Sequence, residues 1–490
     1  MNGEIDTIIV GAGSAGSVLT ARLTEDPSRG VLLIETGPDF GSNEKDQPVD
    51  VIDADDSTAT EFDWHHRGTV LGRELPLYAG KIVGGSSATN NVMALRGHRG
   101  IYDDWGAAGW SFCELLPAFR RLEHDIDYPR SRWHGDAGPV RIRRTAAEEM
   151  AAAQEAFMTS AVAAGHRSVD DHNHPCAVGV GALPLNQVDG IRQSTALTYL
   201  RAARARPNLQ LRSAAQVDRL LIRRGAVLGV KLVDGTDVYA DSVVLSAGAF
   251  GSPAILLRSG IGPADDLRPL GIPVVLDRPG VGRNLHDHPL VRIDFATDGP
   301  PTQPVRQTIL TAHSDGTGGP PDLQLFPSGP TRTGEATLLV SLLRPQSRGR
   351  LRLTSADPSA PLAIDPGYLT DPADLTRLVA GVELARQLAA TAPFKRHIGS
   401  ATAASQPLVS RHGDELRCAV TDHVNAYHHP VGTCRMGRSD DMAVVDHTGR
   451  VHGVQRLRVI DASIFPVIPA ANTNVPTLMA AEHLAHTLRW

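Results

Sequence analysis

The chain has 490 residues, 41% hydrophobic and 21% charged, with a formal net charge of −6. That length exceeds what one hydrophobic core usually supports, so two joined domains are expected, and the mild acidity gives no electrostatic case for nucleic acid or an anionic membrane. Cys113, Cys176, Cys418 and Cys434 are scattered without CxxC spacing, which excludes a zinc ribbon or redox pair and suits free thiols in a reducing compartment. No apolar run approaches the roughly twenty residues of a membrane span, and the first strand starts too close to Met1 for a signal peptide. A cytoplasmic protein is the expectation.

In chain order, Ile5 to Val10 reads as a buried strand that runs into Gly11-Ala12-Gly13-Ser14-Ala15-Gly16 and a helical stretch from Ser17 to Leu23. This is the strand, turn and helix of a dinucleotide-binding βαβ unit. The first glycine allows the tight turn, the second lets backbone N–H groups approach a pyrophosphate, and the third lets helix pack on strand. A second strand, Val31 to Ile34, ends in Glu35, at the distance where a carboxylate accepts from a ribose hydroxyl. The stretch from Gly80 to Asn91 is too rich in Gly, Ser and Asn for a regular element, and its backbone donors suit a loop against a flat ring or a diphosphate.

Helices are expected over 145–164 and 193–205. Three β-rich runs, 217–222, 227–233 and 238–245, are joined by the turns Arg224-Gly225 and Asp234-Gly235 and predict a meander. In the following segment Ser252 reads as an N-cap, Pro253 as the first helical position and Gly260 as the stop. The Pro-, Gly- and Thr-rich stretch from Pro300 to Gly334 predicts loops, and 371–390 predicts a surface helix. Near the end, His428-His429-Pro430-Val431-Gly432-Thr433 is followed by Pro469 to Pro476, which opens the last helix.

These motifs together resemble the glucose–methanol–choline (GMC) family of FAD-dependent oxidoreductases over nearly the whole chain. Gly80 to Gly97 is similar to the family's first signature and Gly248 to Pro263 to its second. Pro279 to Leu285 matches a further family segment, His429 to Thr433 the catalytic stretch, and Gly453 to Pro466 the last flavin-binding strand. The resemblance implies an α/β fold: a Rossmann-like FAD-binding domain built from 1–150, 190–290 and 428–490, and a substrate domain with an antiparallel sheet from 151–189 and 291–427. It places the family's catalytic histidine at His429 and a second polar group facing the substrate oxygen at Asn472.

The implied FAD contacts are Gly11, Gly13, Ser14, Ala15, Gly16, Glu35, Gly84, Gly85, Ser86, Ser87, Asn90, Asn91, Val92, Val217, Ala247, Gly248, Asp461, Ala462, Asn472 and Thr473. Thr89 stands where some members carry a histidine bonded covalently to the cofactor, so non-covalent FAD is expected.

The residue chemistry agrees. Hydride loss from a carbinol requires the hydroxyl proton to leave, which an imidazole can accept near neutral pH, and an amide can polarise the oxygen without changing its own protonation. The implied reaction is oxidation of a small-molecule alcohol to an aldehyde or ketone, with O₂ or a quinone or other carrier taking the electrons. Three alternatives remain at this level: a dehydrogenase acting on a redox-peptide (mycofactocin-type) alcohol, a non-redox hydroxynitrile-lyase-like activity, and a flavin-binding module without activity. His428 is the rival base if the motif is read one residue out of register. His286 and His288 flank Asp287 but lack a third ligand at recognisable spacing, so no metal is expected. Neither the particular alcohol nor the oligomeric state is legible.

Overall fold

The computed structural model describes residues 5–55, 60–297, 299–330, 334–439 and 442–487. One half is built on a five-stranded parallel sheet. Its strands run Leu209–Arg212, Val31–Ile34, Thr7–Val10, Ser242–Leu245 and Leu457–Val459 across the sheet. The central strand pairs Thr7 with Val31 on one side and Ser242 on the other, and all four of its residues are buried. That continuous apolar run is what a strand covered on both faces requires. Helix Ser14–Leu23 follows it and packs beside the last helix, Asn474–Thr487. Arg22 donates to both carboxylate oxygens of Glu482, and Ser14 Oγ donates to Asn474 Oδ1 at 2.7 Å.

The other half carries a six-stranded antiparallel sheet in the order Asn425–Ala426, Pro289–Ala296, Glu335–Leu342, Leu323–Ser328, Thr308–Ala312 and Gly179–Ala182. Helix Pro372–Ala390 covers one face of it, with Leu378, Val382, Ala385 and Leu388 fully buried. Gly381 permits that approach, since a Cβ there would meet Val340 at 2.8 Å and Leu323 at 3.0 Å. The hairpin His66–Val70 and Arg73–Leu77 pairs through Gly68 with Ile364 of strand Leu362–Asp365, so an early segment is stitched to a late one.

Several expectations change on contact with the fold. The run 238–245 is two strands: Asp237–Tyr239 completes the meander with Val217–Arg223 and Ala226–Leu232, while Ser242–Leu245 enters the parallel sheet. The break at 240–241 carries no Gly or Pro to announce it. Helix Gly248–Arg258 begins a turn earlier than the capping signal, because Asp461 accepts from Gly248 N–H at 2.9 Å and from Ser252 Oγ at 2.5 Å. Pro253 therefore lies inside the helix and Ser252 serves a partner 209 residues away.

Helix Ala152–Ala163 starts seven residues later than expected, where the Ala151 N–H is taken by Gln307 Oε1. The helix expected over 193–205 shrinks to Tyr199–Ala203, because Thr195 N–H is committed to Ser87 Oγ at 3.0 Å. Of the stretch read as loops, Thr308–Ala312 and Leu323–Ser328 are sheet strands, and 331–333 lie outside the described residues. Among the described residues no helix is long and apolar enough to cross a membrane.

Candidate active site

Between the two sheets lies a cavity of ≈1290 Å³ whose wall runs from the glycine turn at residue 11 to Tyr427, His429 and Asn472. At the first end Gly11 has φ +98, and a Cβ there would sit 2.5 Å from Ser246 O, so only glycine allows this turn. Helix Ser14–Leu23 has no side-chain cap, and Gly13, Ser14 and Ala15 present its positive end to the cavity. An uncapped N-terminus beside small residues suits a diphosphate. Gly85 lies against Gly13, where an added Cβ would meet Gly13 Cα at 2.6 Å. Asn91 and Asn472 line the same cavity, and each has a buried amide oxygen without a hydrogen-bond partner among the described residues. These features fit the nucleotide, the diphosphate and the polar ring of FAD.

Most of the expected cofactor residues line this cavity: Gly11, Gly13, Ser14, Ala15, Glu35, Gly85, Ser86, Asn90, Asn91, Val217, Ala247, Gly248, Asp461, Ala462, Asn472 and Thr473. Gly16, Gly84, Ser87 and Val92 stand behind the wall. A Cβ on Gly16 would reach Gly11 O at 1.9 Å, so this glycine lets helix meet turn. Gly84 turns with φ +106, Ser87 Oγ donates to Gly84 O, and Val92 N–H donates to Asn90 Oδ1. Glu35 accepts from Ala12 N–H and Gly37 N–H, both at 2.8 Å, and each oxygen keeps a lone pair. Burial raises its carboxyl above the ordinary range. Asp461 holds the Gly248 turn and also accepts from Ser463 N–H at 2.8 Å.

At the other end His429 is buried between three neighbours. Its Nε2 accepts from Asn472 Nδ2 at 3.1 Å, its Nδ1 faces His288 Nδ1 at 3.0 Å, and its ring lies 4.2 Å from that of Tyr427. With Nε2 accepting, a neutral His429 carries its proton on Nδ1 and donates it to His288. Burial, followed by the nearby His288 and His428, holds the His429 pKa well below the usual histidine value. The imidazole is thus in its base form. Its backbone N–H donates to Asp287 Oδ1 at 2.8 Å, and Asp287 Oδ2 accepts from Tyr368 Oη at 2.7 Å. Burial pushes Asp287 up to about 6.

His428 also lines the cavity, but it has φ +61 and packs on Tyr78, and its Nδ1 accepts from Tyr78 N–H. His286 is held between Asn284 O at 2.7 Å and Ile468 N–H at 2.9 Å, which occupies both ring nitrogens.

Sequence reasoning passed over Tyr427 and Tyr368. Tyr427 adjoins the histidine pair, a signal that was available; Tyr368 reaches Asp287 from 81 residues away and has no local signature. Glu123, Asp125 and His134 also converge, buried, with ligand atoms within 4.8 Å of one another. Arg96 pairs with Glu123, and Arg144 lies 3.0 Å from Asp125 and 2.7 Å from Asp171. Two guanidinium groups already supply the positive charge that a metal would bring, and the cluster is a structural ion-pair knot.

A family model described as GMC oxidoreductase matches residues 5–290, and its C-terminal counterpart matches residues 345–481. The 5-(hydroxymethyl)furfural oxidase of Methylovorus sp. (strain MP688) is 38% identical, covering 99% of this chain and 98% of that protein. An oxygen-dependent choline dehydrogenase of Burkholderia thailandensis is 35% identical over 99% of this chain and 94% of its own length. The crystal structure of pyridoxine 4-oxidase from Mesorbium loti superposes with a TM-score of 0.92 at 32% identity, over 99% of each chain.

Proposed function

Since the chain belongs to the GMC oxidoreductase family and is an FAD-dependent alcohol oxidoreductase, we propose that it oxidises a hydroxymethyl group borne on a planar ring and passes the electrons to O₂. Two relatives, one named for hydroxymethylfurfural and one for pyridoxine, act in name on such groups, and both are called oxidases. The wall beside His429 supports this substrate shape: Phe326 stacks on Tyr427 with centroids 6.0 Å apart, and Leu290 and Leu339 flank them. Flat apolar walls with a few convergent polar groups suit a ring with one reacting arm.

The observation that carries the reading is the 3.1 Å pair of His429 Nε2 and Asn472 Nδ2, set on the same cavity as the uncapped helix at Ser14. A hydroxyl that displaces their mutual hydrogen bond meets a lone pair that takes its proton and an N–H that stabilises the oxygen as negative charge develops. Flavin, when bound, accepts the hydride. Asp287 fixes the His429 backbone and His288 fixes its ring, so the base is positioned before substrate arrives. Gly11, Gly13, Ser14 and Glu35 hold the nucleotide part in this reading. The meeting of Asp461 with the Gly248 turn shapes the middle of the site. Thr89, which has no ring nitrogen to bond, supports non-covalent FAD.

We assign cofactor binding to 1–150, 190–290 and 428–490 and the substrate wall to 151–189 and 291–427. The contribution of both later segments to the six-stranded sheet supports this division. Free thiols at exposed Cys113, Cys176 and Cys418 support a reducing, cytoplasmic setting.

The test is anaerobic mixing of the purified holoprotein with hydroxymethyl arenes, read by loss of the oxidised flavin's absorbance and then repeated in air with peroxide measured. His429→Ala should keep its FAD spectrum and reduce flavin ~10²–10⁴-fold more slowly. An unchanged reduction rate removes His429 from the role of base, and turnover without peroxide points to a carrier instead of O₂.

A further inference from the structure

One cation in the cavity has no partner that the alcohol chemistry requires. The rung Arg292, Leu339 and Phe326 crosses three adjacent strands of the six-stranded sheet and faces the cavity, and Arg306, just before strand Thr308–Ala312, lines the same wall. Arg292 is accounted for: its Nη2 lies 3.3 Å from Asp294 Oδ1. Arg306 differs. It is half-buried and, among the described residues, has neither a hydrogen bond from its guanidinium nor a carboxylate within 4.0 Å. Asp55 acts on it electrostatically, but the Oδ1 of Asp55 accepts from the neighbouring Val305 N–H at 3.0 Å. Burial, with Arg292 adding to it, weakens the hold of Arg306 on its proton relative to an exposed arginine.

The position of this charge is informative. Arg306 lines the same cavity as Tyr427, and Tyr427 packs on the catalytic imidazole. The charge thus shares the cavity wall with Phe326, Tyr427 and His429. A guanidinium presents a planar fork that matches a carboxylate in two parallel N–H···O bonds. Arg292 is paired with Asp294, which leaves Arg306 as one cation without a direct carboxylate partner among the described residues, the complement of a monoanion and not of a phosphate dianion. A half-buried guanidinium whose fork is not taken up by a carboxylate within the protein can pair with one carried by a ligand.

We propose that Arg306 anchors a carboxylate carried by the alcohol at the end remote from its reacting carbon, so that the protein acts on hydroxymethyl-aryl carboxylic acids. This rests on the alcohol-oxidising reading above and narrows its substrate class. The ring lies against the wall that Phe326 and Tyr427 form, Arg306 holds the acid and His429 meets the hydroxyl.

Calorimetry on the holoprotein with two inert probes, 4-methylbenzoate and 4-methylbenzamide, tests this without turnover. The acid should bind roughly ten- to a hundredfold more tightly than the amide. The difference should collapse in Arg306→Gln, which keeps most of the side chain's bulk, and should survive in part in Arg306→Lys. Equal affinity for the two probes in the unaltered protein, or a difference that persists in Arg306→Gln, overturns the assignment. Anaerobic flavin reduction by the neutral 4-methylbenzyl alcohol separates the two levels of failure. Reduction by this alcohol without any preference for the acid defeats the carboxylate anchor alone. No reduction by any hydroxymethyl arene defeats the alcohol-oxidising reading and this inference with it.

Discussion

At His429 the protein fixes a protonation state before any chemistry begins. Burial makes the charged imidazole unfavourable, and His288 and His428 add like-charge repulsion, so the ring stays neutral well below the ordinary histidine value of ~6.5. The rate of anaerobic flavin reduction at low substrate should therefore stay level as pH falls through 6.5 and drop only further into acid. An acid limb centred at or above 6.5 would show that the ring is not shielded in this way. Asn472→Ala should slow reduction by ~10²–10³-fold at every pH, because it removes a fixed donor and no titrating group. These two residues were legible because Pro430 to Thr433 anchors the register of the histidine pair. The Asp287 and Tyr368 support was not, since it depends on a contact across 81 residues.

At the scale of single elements, the turn at Gly85 and the helix it faces behave as one part. Gly85 has φ +52, and an added Cβ would collide with Gly13 Cα at 2.6 Å, backbone against backbone. Gly85→Ala should accordingly push apart the two loops that line the nucleotide end. The purified variant should show a lower ratio of flavin to protein absorbance, and added FAD should bind more weakly, while melting of the cofactor-free form changes far less. Unaltered FAD content would mean that the two loops tolerate separation. Here the sequence signal was strong for strand, turn and helix around Gly11, where every partner is local. It was weak for helix Gly248–Arg258, whose start is set by Asp461, and for 238–245, where neighbouring strands serve different sheets. Local capping and propensity cannot register a partner two hundred residues away.

For the whole molecule, buried titratable groups set the pH range of stability. Burial holds His66, His172, His428 and His483 at about 4 and His286 and His288 at about 3. Below ~6.5 the unfolded chain binds protons that these folded rings refuse, so stability falls as pH drops from there toward 4. Asp287, raised to about 6, works in the opposite sense over part of that range, as do Glu35, Asp55 and Asp461, also raised by burial, but the histidines held low outnumber them. On the alkaline side, burial alone would lower His134, yet Asp125, Asp171 and Glu123 raise it to about 10. Its contribution is complete below ~6.5 and is lost as pH rises through about 10. Melting temperature should therefore peak near neutrality and decline on both sides. A protein equally stable at pH 4.5 and 7 would contradict this account.

Motif order conveyed the two-part architecture. Which strand joins which sheet was hidden, because the hairpin at residues 66–77 and the strand at 457–459 find neighbours far along the chain.

The clasp between helices Ser14–Leu23 and Asn474–Thr487 has a temporal consequence. The glycine turn leaves the ribosome long before the last helix, yet Ser14 and Arg22 acquire their partners only once Asn474 and Glu482 have been synthesised. In a nascent polypeptide this clasp therefore closes only after helix Asn474–Thr487 has been made.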